Sequence, residues 1–144
     1  MIVAAFTLAA FGGWVAHALT SGPSVDRNLG ADCGTTVNSA SQYDAGPPAC
    51  LWTAYVAAKQ AHATMTNYTI EGDPISYSLT LRSSDRIDVL IGSRDRYSPM
   101  GTFAYVCTGL VRDAANAEPG RFHLIATGCA GPPAFLDGTR LTIP

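Results

Sequence analysis

Residues 69–97 are the stretch of this sequence that is richest in charged side chains that could do chemistry. The stretch reads TIEGDPISYSLTLRSSDRIDVLIGSRDRY and contains five carboxylates and four guanidinium groups. Paired carboxylates can carry out acid–base catalysis when one of them is shielded from water. The same residue types also form ordinary turns and cross-strand ion pairs. We favour turn chemistry, because Gly, Pro or Ser stands beside many of these charges.

A smaller group of these charges falls in two turns that can meet at one end of an antiparallel sheet. The first turn follows residues 67–71, and the second lies in the polar loop 93–101. Loops on a rigid scaffold are frequent positions for functional groups. The candidate cluster is Glu71, Asp73, Arg94, Asp95 and Arg96. Their spacing assigns none of them a catalytic role, so the cluster is a candidate surface site and no catalytic residue is predicted.

Motifs for metals, cofactors and nucleophilic catalysis are missing from the sequence. After residue 18 the histidines are His62 and His123, and no His-x-x-x-His pair occurs. A zinc site usually needs three or four ligands, so we predict no metal. Neither a Gly-x-Ser-x-Gly motif nor a phosphate-binding loop is present, and we predict no cofactor.

The four cysteines predict two disulfides. They are even in number, widely spaced, and contain no Cys-x-x-Cys pair, which argues against a zinc knuckle or a thioredoxin-type motif. They are Cys33, Cys50, Cys107 and Cys129.

We favour pairing Cys33 with Cys50 and Cys107 with Cys129. The second pair lies on adjacent strands of one predicted hairpin. If Arg112 faces Arg121, Cys107 faces Ala126, and a small slip or bulge brings Cys107 and Cys129 opposite each other. The rival joins Cys50 to Cys107 and Cys33 to Cys129, which would staple the helix onto the sheet.

Residues 1–18 predict a signal peptide or a membrane anchor. The segment MIVAAFTLAAFGGWVAHA is apolar and ends in a small-x-small pattern, as at a signal cleavage site. No Lys or Arg stands near its start, and residues 2–19 are just long enough to span a bilayer. We expect a cleaved signal and an extracellular or envelope location, with membrane contact only through this segment if it is not cleaved.

Composition and periodicity predict one α+β domain. Residues 19–46 show no period and are expected to be an irregular lead-in, whereas 47–144 form the domain. Apolar residues at helical spacing predict a helix at 49–64, and alternation then predicts strands near 67–71, 75–82, 86–92, 102–112, 121–128 and 140–143. The expected fold is one helix packed across an antiparallel sheet of four to five strands. A net charge of −2 with nine scattered basic residues argues against nucleic-acid binding.

The order CLWTAY, YTIEGDPI, SRDRY and YVCTGL resembles a family of small exported bacterial proteins of unknown function. The resemblance covers about residues 50–110. Its markers here are Tyr68, Gly72, Asp73, Pro74, Ile75, Asp95 and Cys107. The family carries no assigned activity, so the resemblance implies export and a shared fold but no catalytic residue.

Three functional hypotheses follow from the sequence. The leading one is a non-enzymatic exported domain that binds a protein or another envelope component. The second is a hydrolase-like enzyme, which requires Asp73 and Asp95 to approach each other with one carboxyl shielded. The third is a carrier of a small apolar ligand, which requires unfilled volume beside Trp52 or Tyr55.

Overall fold

The computed structural model describes residues 29–39, 42–113 and 123–143. Its elements are β1 Ala31–Asn38, α1 Gly46–Val56, β2 Ala61–Tyr68, β3 Pro74–Ser83, β4 Arg86–Ser93, β5 Gly101–Cys107, β6 Gly109–Asp113, β7 His123–Thr127 and β8 Leu141–Ile143. Strands β1 to β5 form a five-stranded sheet in chain order, and β6 to β8 form a three-stranded sheet. The leader that predicts a signal or an anchor lies outside the described residues.

The prediction of an irregular lead-in is wrong for residues 31–38. They form β1, which pairs in parallel with β2, whereas the remaining neighbours in the five-stranded sheet are antiparallel. The sheet is therefore mixed, and β1–α1–β2 is a crossover unit rather than a loop followed by a helix. Sequence alternation missed β1 because its buried side chains are polar: Thr36 and Asn38.

Helix α1 is shorter than predicted because residues 61–64 belong to β2. Ala61, Ala63 and Met65 point inward at period two, and pairing with strands on both sides outweighs the helix preference of alanine. The helix ends in a Schellman motif, in which Ala58 adopts φ +51° and the Lys59 amide donates to the Ala54 carbonyl. Glycine is the usual residue at that position, so the sequence carried no stop signal there.

The core lies between the inner face of the five-stranded sheet and a layer made of α1 and the three-stranded sheet. Alternating residues of β2 to β5 point inward, as the sequence pattern predicted for the central strands. From the covering layer, Leu51, Leu110, Leu124, Leu141 and Ile143 are at most 4% exposed. A helix packed on a sheet is thus confirmed, but the molecule is richer in strands than the four to five expected.

The predicted strand 102–112 is divided between the two sheets at Thr108. Its first part is β5, at the edge of the five-stranded sheet, and its second part is β6, in the three-stranded sheet. The Thr108 amide donates to the carbonyl of Thr127 at 3.0 Å. The chain is therefore hydrogen-bonded to the end of β7 at the point where it passes from one sheet to the other. Because apolar and polar residues continue to alternate through Thr108, the sequence pattern did not indicate this change of sheet.

Both favoured disulfides are present, Cys33–Cys50 and Cys107–Cys129. In the backbone pairing, Val106 lies opposite Ala130 and Gly109 lies opposite Thr127. Cys107 therefore lies opposite Cys129. The assumed register had paired Arg112 with residue 121, whereas Arg112 pairs with Leu124, a slip of three residues. The other disulfide joins β1, at its irregularity between Asp32 and Thr35, to the helix.

Candidate binding surface

The outer face of the five-stranded sheet carries small polar side chains and is partly open to solvent. Strand β3 shows the pattern: Ser76, Ser78 and Thr80 alternate with inward residues and are half-buried. Beside them on β4 and β5, Leu90 and Val106 are 45% and 46% exposed. The outer face is therefore rich in Ser and Thr and in contact with water, and the charges of residues 69–97 lie along it and at its two ends.

At the β3–β4 hairpin end, two arginines share one carboxylate. Arg82 Nε lies 3.0 Å from one oxygen of Asp88, and Arg86 Nε lies 3.2 Å from the other. Asp85 lies in the turn and accepts a hydrogen bond from the Ser83 hydroxyl at 2.7 Å. This end matches the ordinary turn and cross-strand pairing that the sequence favoured.

At the opposite end, Asp73 and Arg96 join two loops of the candidate cluster. Arg96 Nε and Nη2 donate to the two oxygens of Asp73 at 2.8 and 2.9 Å, and the Arg96 amide donates to the same carboxylate at 3.2 Å. These hydrogen bonds from Arg96 hold the pKa of Asp73 below its usual value. The bidentate pair fixes the β2–β3 turn against the β4–β5 loop across 23 residues of chain.

Glu71 and Asp95 stand close enough to this pair to stabilise the charged form of Arg96, and together with Asp73 they raise its pKa. They differ in exposure: Glu71 is exposed on the turn, whereas Asp95 is only 6% exposed. Asp95 accepts a hydrogen bond from the Tyr97 amide at 2.9 Å, which shapes the loop. Three members of the candidate cluster, Glu71, Asp73 and Asp95, thus converge around the fourth, Arg96.

Arg94, the fifth member, is different. Its amide donates to the Pro74 carbonyl at 3.1 Å and so extends the β3–β4 ladder. Its guanidinium makes no ion pair with any residue in the part of the chain that the structure describes. The other arginines of residues 69–97 all contact a carboxylate, so Arg94 is the uncompensated cation of this stretch.

Arg94 borders an open recess of about 480 Å³ on the outer face. Its floor is one row of cross-strand neighbours, in which Thr66 pairs with Ser76, Ser76 with Gly92, and Gly92 with Thr102. The recess exists because Gly92 has no side chain in the middle of that row; a Cβ there would approach Ser76 Oγ to 2.8 Å. Thr66, Ser76 and Thr102 were not among the candidate site residues predicted from the sequence, although strand alternation places them on the same face as Gly92.

Large apolar side chains are exposed on the same two loops. Ile70, on the β2–β3 turn, is fully exposed, and Tyr97 and Met100, on the β4–β5 loop, are 75% and 70% exposed. Phe135, by contrast, is half-buried and packs edge-on against Phe103, with ring centroids 5.3 Å apart. Ile70 had been assigned to a strand at 67–71; β2 ends at Tyr68, which leaves Ile70 in the turn.

We call Ile70, Tyr97, Met100 and the Arg94 recess together the loop-end surface. Exposed apolar and aromatic side chains beside an unpaired arginine are typical of protein-binding surfaces. Two hydrogen bonds close the β2–β3 turn that carries Ile70: the Gly72 amide donates to the Thr69 carbonyl, and the Thr69 amide donates to the Asp73 carbonyl, both at 3.0 Å.

The geometry gives little support to acid–base chemistry by the two loop carboxylates. Both oxygens of Asp73 bind Arg96, and its lowered pKa is the opposite of what a general acid at neutral pH needs. Asp95 is shielded as the hydrolase hypothesis required, but one of its oxygens is used by the Tyr97 amide. Neither carboxylate lines the recess beside Arg94.

Among the described residues, the histidines form no metal site, and Trp52 and Tyr55 line none of the recesses on the outer face or beside β1. His62 Nε2 lies 3.4 Å from Asp32, and among the described residues no group of three or more His, Cys, Asp or Glu side chains is placed to hold a metal. Trp52 and Tyr55 contact each other, with ring centroids 5.9 Å apart. The recesses found on the outer face and beside β1 involve neither ring.

Comparison with known protein families, curated proteins and solved structures finds no match to this chain. The resemblance to a family of small exported proteins therefore stays a prediction. In the part of the chain that the structure describes, no helix is sufficiently long and apolar to cross a bilayer. Two disulfides are typical of proteins that fold in an oxidising environment.

Proposed function

We propose that the protein is an exported, non-enzymatic domain that binds a protein of the extracellular space or the cell envelope through the loop-end surface. The observation that carries the proposal is the Asp73–Arg96 pair, which joins two loops holding Ile70, Tyr97 and Met100 in solvent. Loops fixed before binding lose little conformational freedom when a partner docks, which favours affinity.

The chemistry of the exposed side chains supports a protein partner. Tyrosine, methionine and arginine are enriched in protein interfaces, and a few such residues supply most of the binding energy. Their exposure places apolar area in water that a partner can cover. Met100 directly precedes Gly101, which lines the recess together with Arg94, so the same loop carries apolar and charged contacts.

Export rests on the apolar leader of residues 1–18 and on the two disulfides. Outside the cytoplasm such bridges persist and stabilise small domains. N-terminal sequencing of protein recovered from culture fluid or envelope is expected to find a chain that begins near Leu19. Full-length protein confined to the cytosol would contradict export.

The binding proposal is tested by capture from envelope and culture-fluid extracts. We expect the wild-type domain to retain a discrete protein, and the double variant Ile70→Ser, Tyr97→Ser to lose it. Val56→Ser is the matched control, because Val56 is 67% exposed but lies at the end of α1. Equal capture by wild type and the double variant, or capture of nothing above background by wild type, would contradict the proposal.

A further inference from the structure

We infer that the recess beside Arg94 is a binding site for a carboxylate group. We assign the carboxylate to an acidic side chain of the protein partner, and this assignment rests on the proposed function. The site comprises the Arg94 guanidinium and the hydroxyls of Thr66, Ser76 and Thr102 around the bare backbone of Gly92.

Charge is the first argument. The lining contains one cation and no carboxylate, and the nearest acidic neighbour in sequence, Asp95, is turned into the protein and hydrogen-bonded to the Tyr97 amide. Arg96 cannot neutralise a ligand in the same way, because Asp73 already occupies two of its donors. An incoming anion therefore finds one free guanidinium, at Arg94.

Geometry is the second argument. Along β4 the outward positions are Asp88, Leu90 and Gly92, and Arg94 is the next in that alternation, held by its amide at the end of the ladder. Its backbone is thus fixed beside the gap that Gly92 leaves. A planar guanidinium binds a carboxylate through two parallel hydrogen bonds. The Ser76 hydroxyl already donates to the Gly92 carbonyl at 3.2 Å, so further hydrogen bonds to the ligand come from the hydroxyls of Thr66 and Thr102.

The lining also discriminates among ligands. It contains no aromatic ring on which a nucleobase or a sugar would stack, and base stacking is a main contact of single-stranded nucleic-acid sites. Tyr97 and Met100 instead offer exposed apolar contacts outside the recess. An acidic residue flanked by apolar residues on a protein surface fits both features.

The test is an NMR titration of the folded, disulfide-bonded protein with N-acetyl-glutamate amide at millimolar concentrations. We expect saturable shifts of the amides of Ser76, Gly92 and Thr102. Arg94→Gln should weaken binding roughly tenfold or more, as expected when a bidentate charge-assisted contact is lost, and Arg94→Lys should weaken it less. The matched control, Arg86→Gln, removes an exposed guanidinium at the other end of the sheet and should leave binding unchanged.

Three outcomes would overturn the inference: no saturable shifts, equal shifts in Arg94→Gln, or equal shifts with N-acetyl-glutamine amide. Preferential binding of glucuronate or of inorganic phosphate would overturn the assignment to a protein carboxylate. The titration needs no partner, so its failure is distinguishable from failure of the proposed function. If N-acetyl-glutamate amide binds beside Arg94 but no protein is captured from the extracts, the assignment to a protein partner is overturned, whereas the carboxylate site itself is supported.

Discussion

The two ends of the five-stranded sheet contain the same kinds of charges in different arrangements. At the β3–β4 hairpin, Arg82 and Arg86 share Asp88, so every charge of that group has a partner. At the loop end, Asp73 binds Arg96 and Asp95 faces inward, and Arg94 lies beside a recess without an ion pair to any described residue. A charge-rich sequence therefore does not define a site by itself, because the same residue types are paired differently at the two ends.

The two faces of the same strands differ as well. The inner face is closed by α1 and the three-stranded sheet, whereas the outer face holds hydroxyl side chains that remain in contact with water. This separation predicts that stability depends on the inner face and recognition on the outer face and its loop end. Four changes, taken from the largest expected effect on stability to the smallest, test that separation.

Leu79→Ala should have the largest effect. Leu79 is fully buried in the core, and deleting a buried leucine side chain costs about 2–5 kcal/mol of unfolding free energy. Ser78→Ala, one residue away on the outer face, removes the hydrogen bond between Ser78 and Thr64 at 3.2 Å and should cost about 1 kcal/mol or less. Denaturant unfolding compares the two, and similar losses would show that the faces are not separated in this way.

Removing the Cys107–Cys129 disulfide by a double substitution to alanine should have the next largest effect. The bridge closes 22 residues of chain, and a disulfide of this kind contributes about 2–4 kcal/mol, mainly by restricting the unfolded state. Thermal unfolding of the variant beside wild type measures this. An unchanged melting temperature would show that β5 and the segment after β7 are held together without the bridge.

Asp73→Asn should cause a smaller loss that depends on pH. Arg96 lowers the pKa of folded Asp73 below 3.8, so the ionised carboxylate stabilises the folded state at pH values above its unfolded pKa. That contribution is lost as the pH falls through the folded pKa. Unfolding at neutral pH and at strongly acidic pH should show the gap between variant and wild type narrowing in acid, and a gap that widens there would contradict the assignment.

Arg94→Gln should have the smallest effect on stability, within about 0.5 kcal/mol, because its side chain makes no ion pair with the described residues. A larger loss of unfolding free energy would mean that Arg94 has a structural role that competes with ligand binding. The same denaturant experiment decides this, with Arg86→Gln as the paired comparison at the other end of the sheet.

Much of this architecture could be predicted, because the central strands have clear alternation. Leu79, Val89 and Tyr105 all lie on the predicted inward side, and the favoured disulfides are present. Strand β1 could not be predicted, since its buried residues Thr36 and Asn38 are polar and its pairing partner lies beyond a helix. Local periodicity does not report such long-range pairing.

The candidate site shows a similar limit. The sequence placed the charged turns at one end of the sheet, but it could not indicate which arginine pairs with which carboxylate. That distribution depends on register: Gly92 lies between Ser76 and Thr102, and this row opens the recess beside Arg94. The exposure of Ile70 and Met100 was missed because apolar residues are normally assigned to the core, although exposed ones occur on most protein surfaces.

Site-specific photo-crosslinking most directly tests the claim that the loop end is the binding surface. A photoreactive phenylalanine analogue would replace Tyr97 in the protein expressed in its own cells, with the same analogue at Val56 as the control. We expect a discrete cross-linked protein from position 97 and none from position 56. Identical products from both positions, or a product from position 56 alone, would contradict the claim.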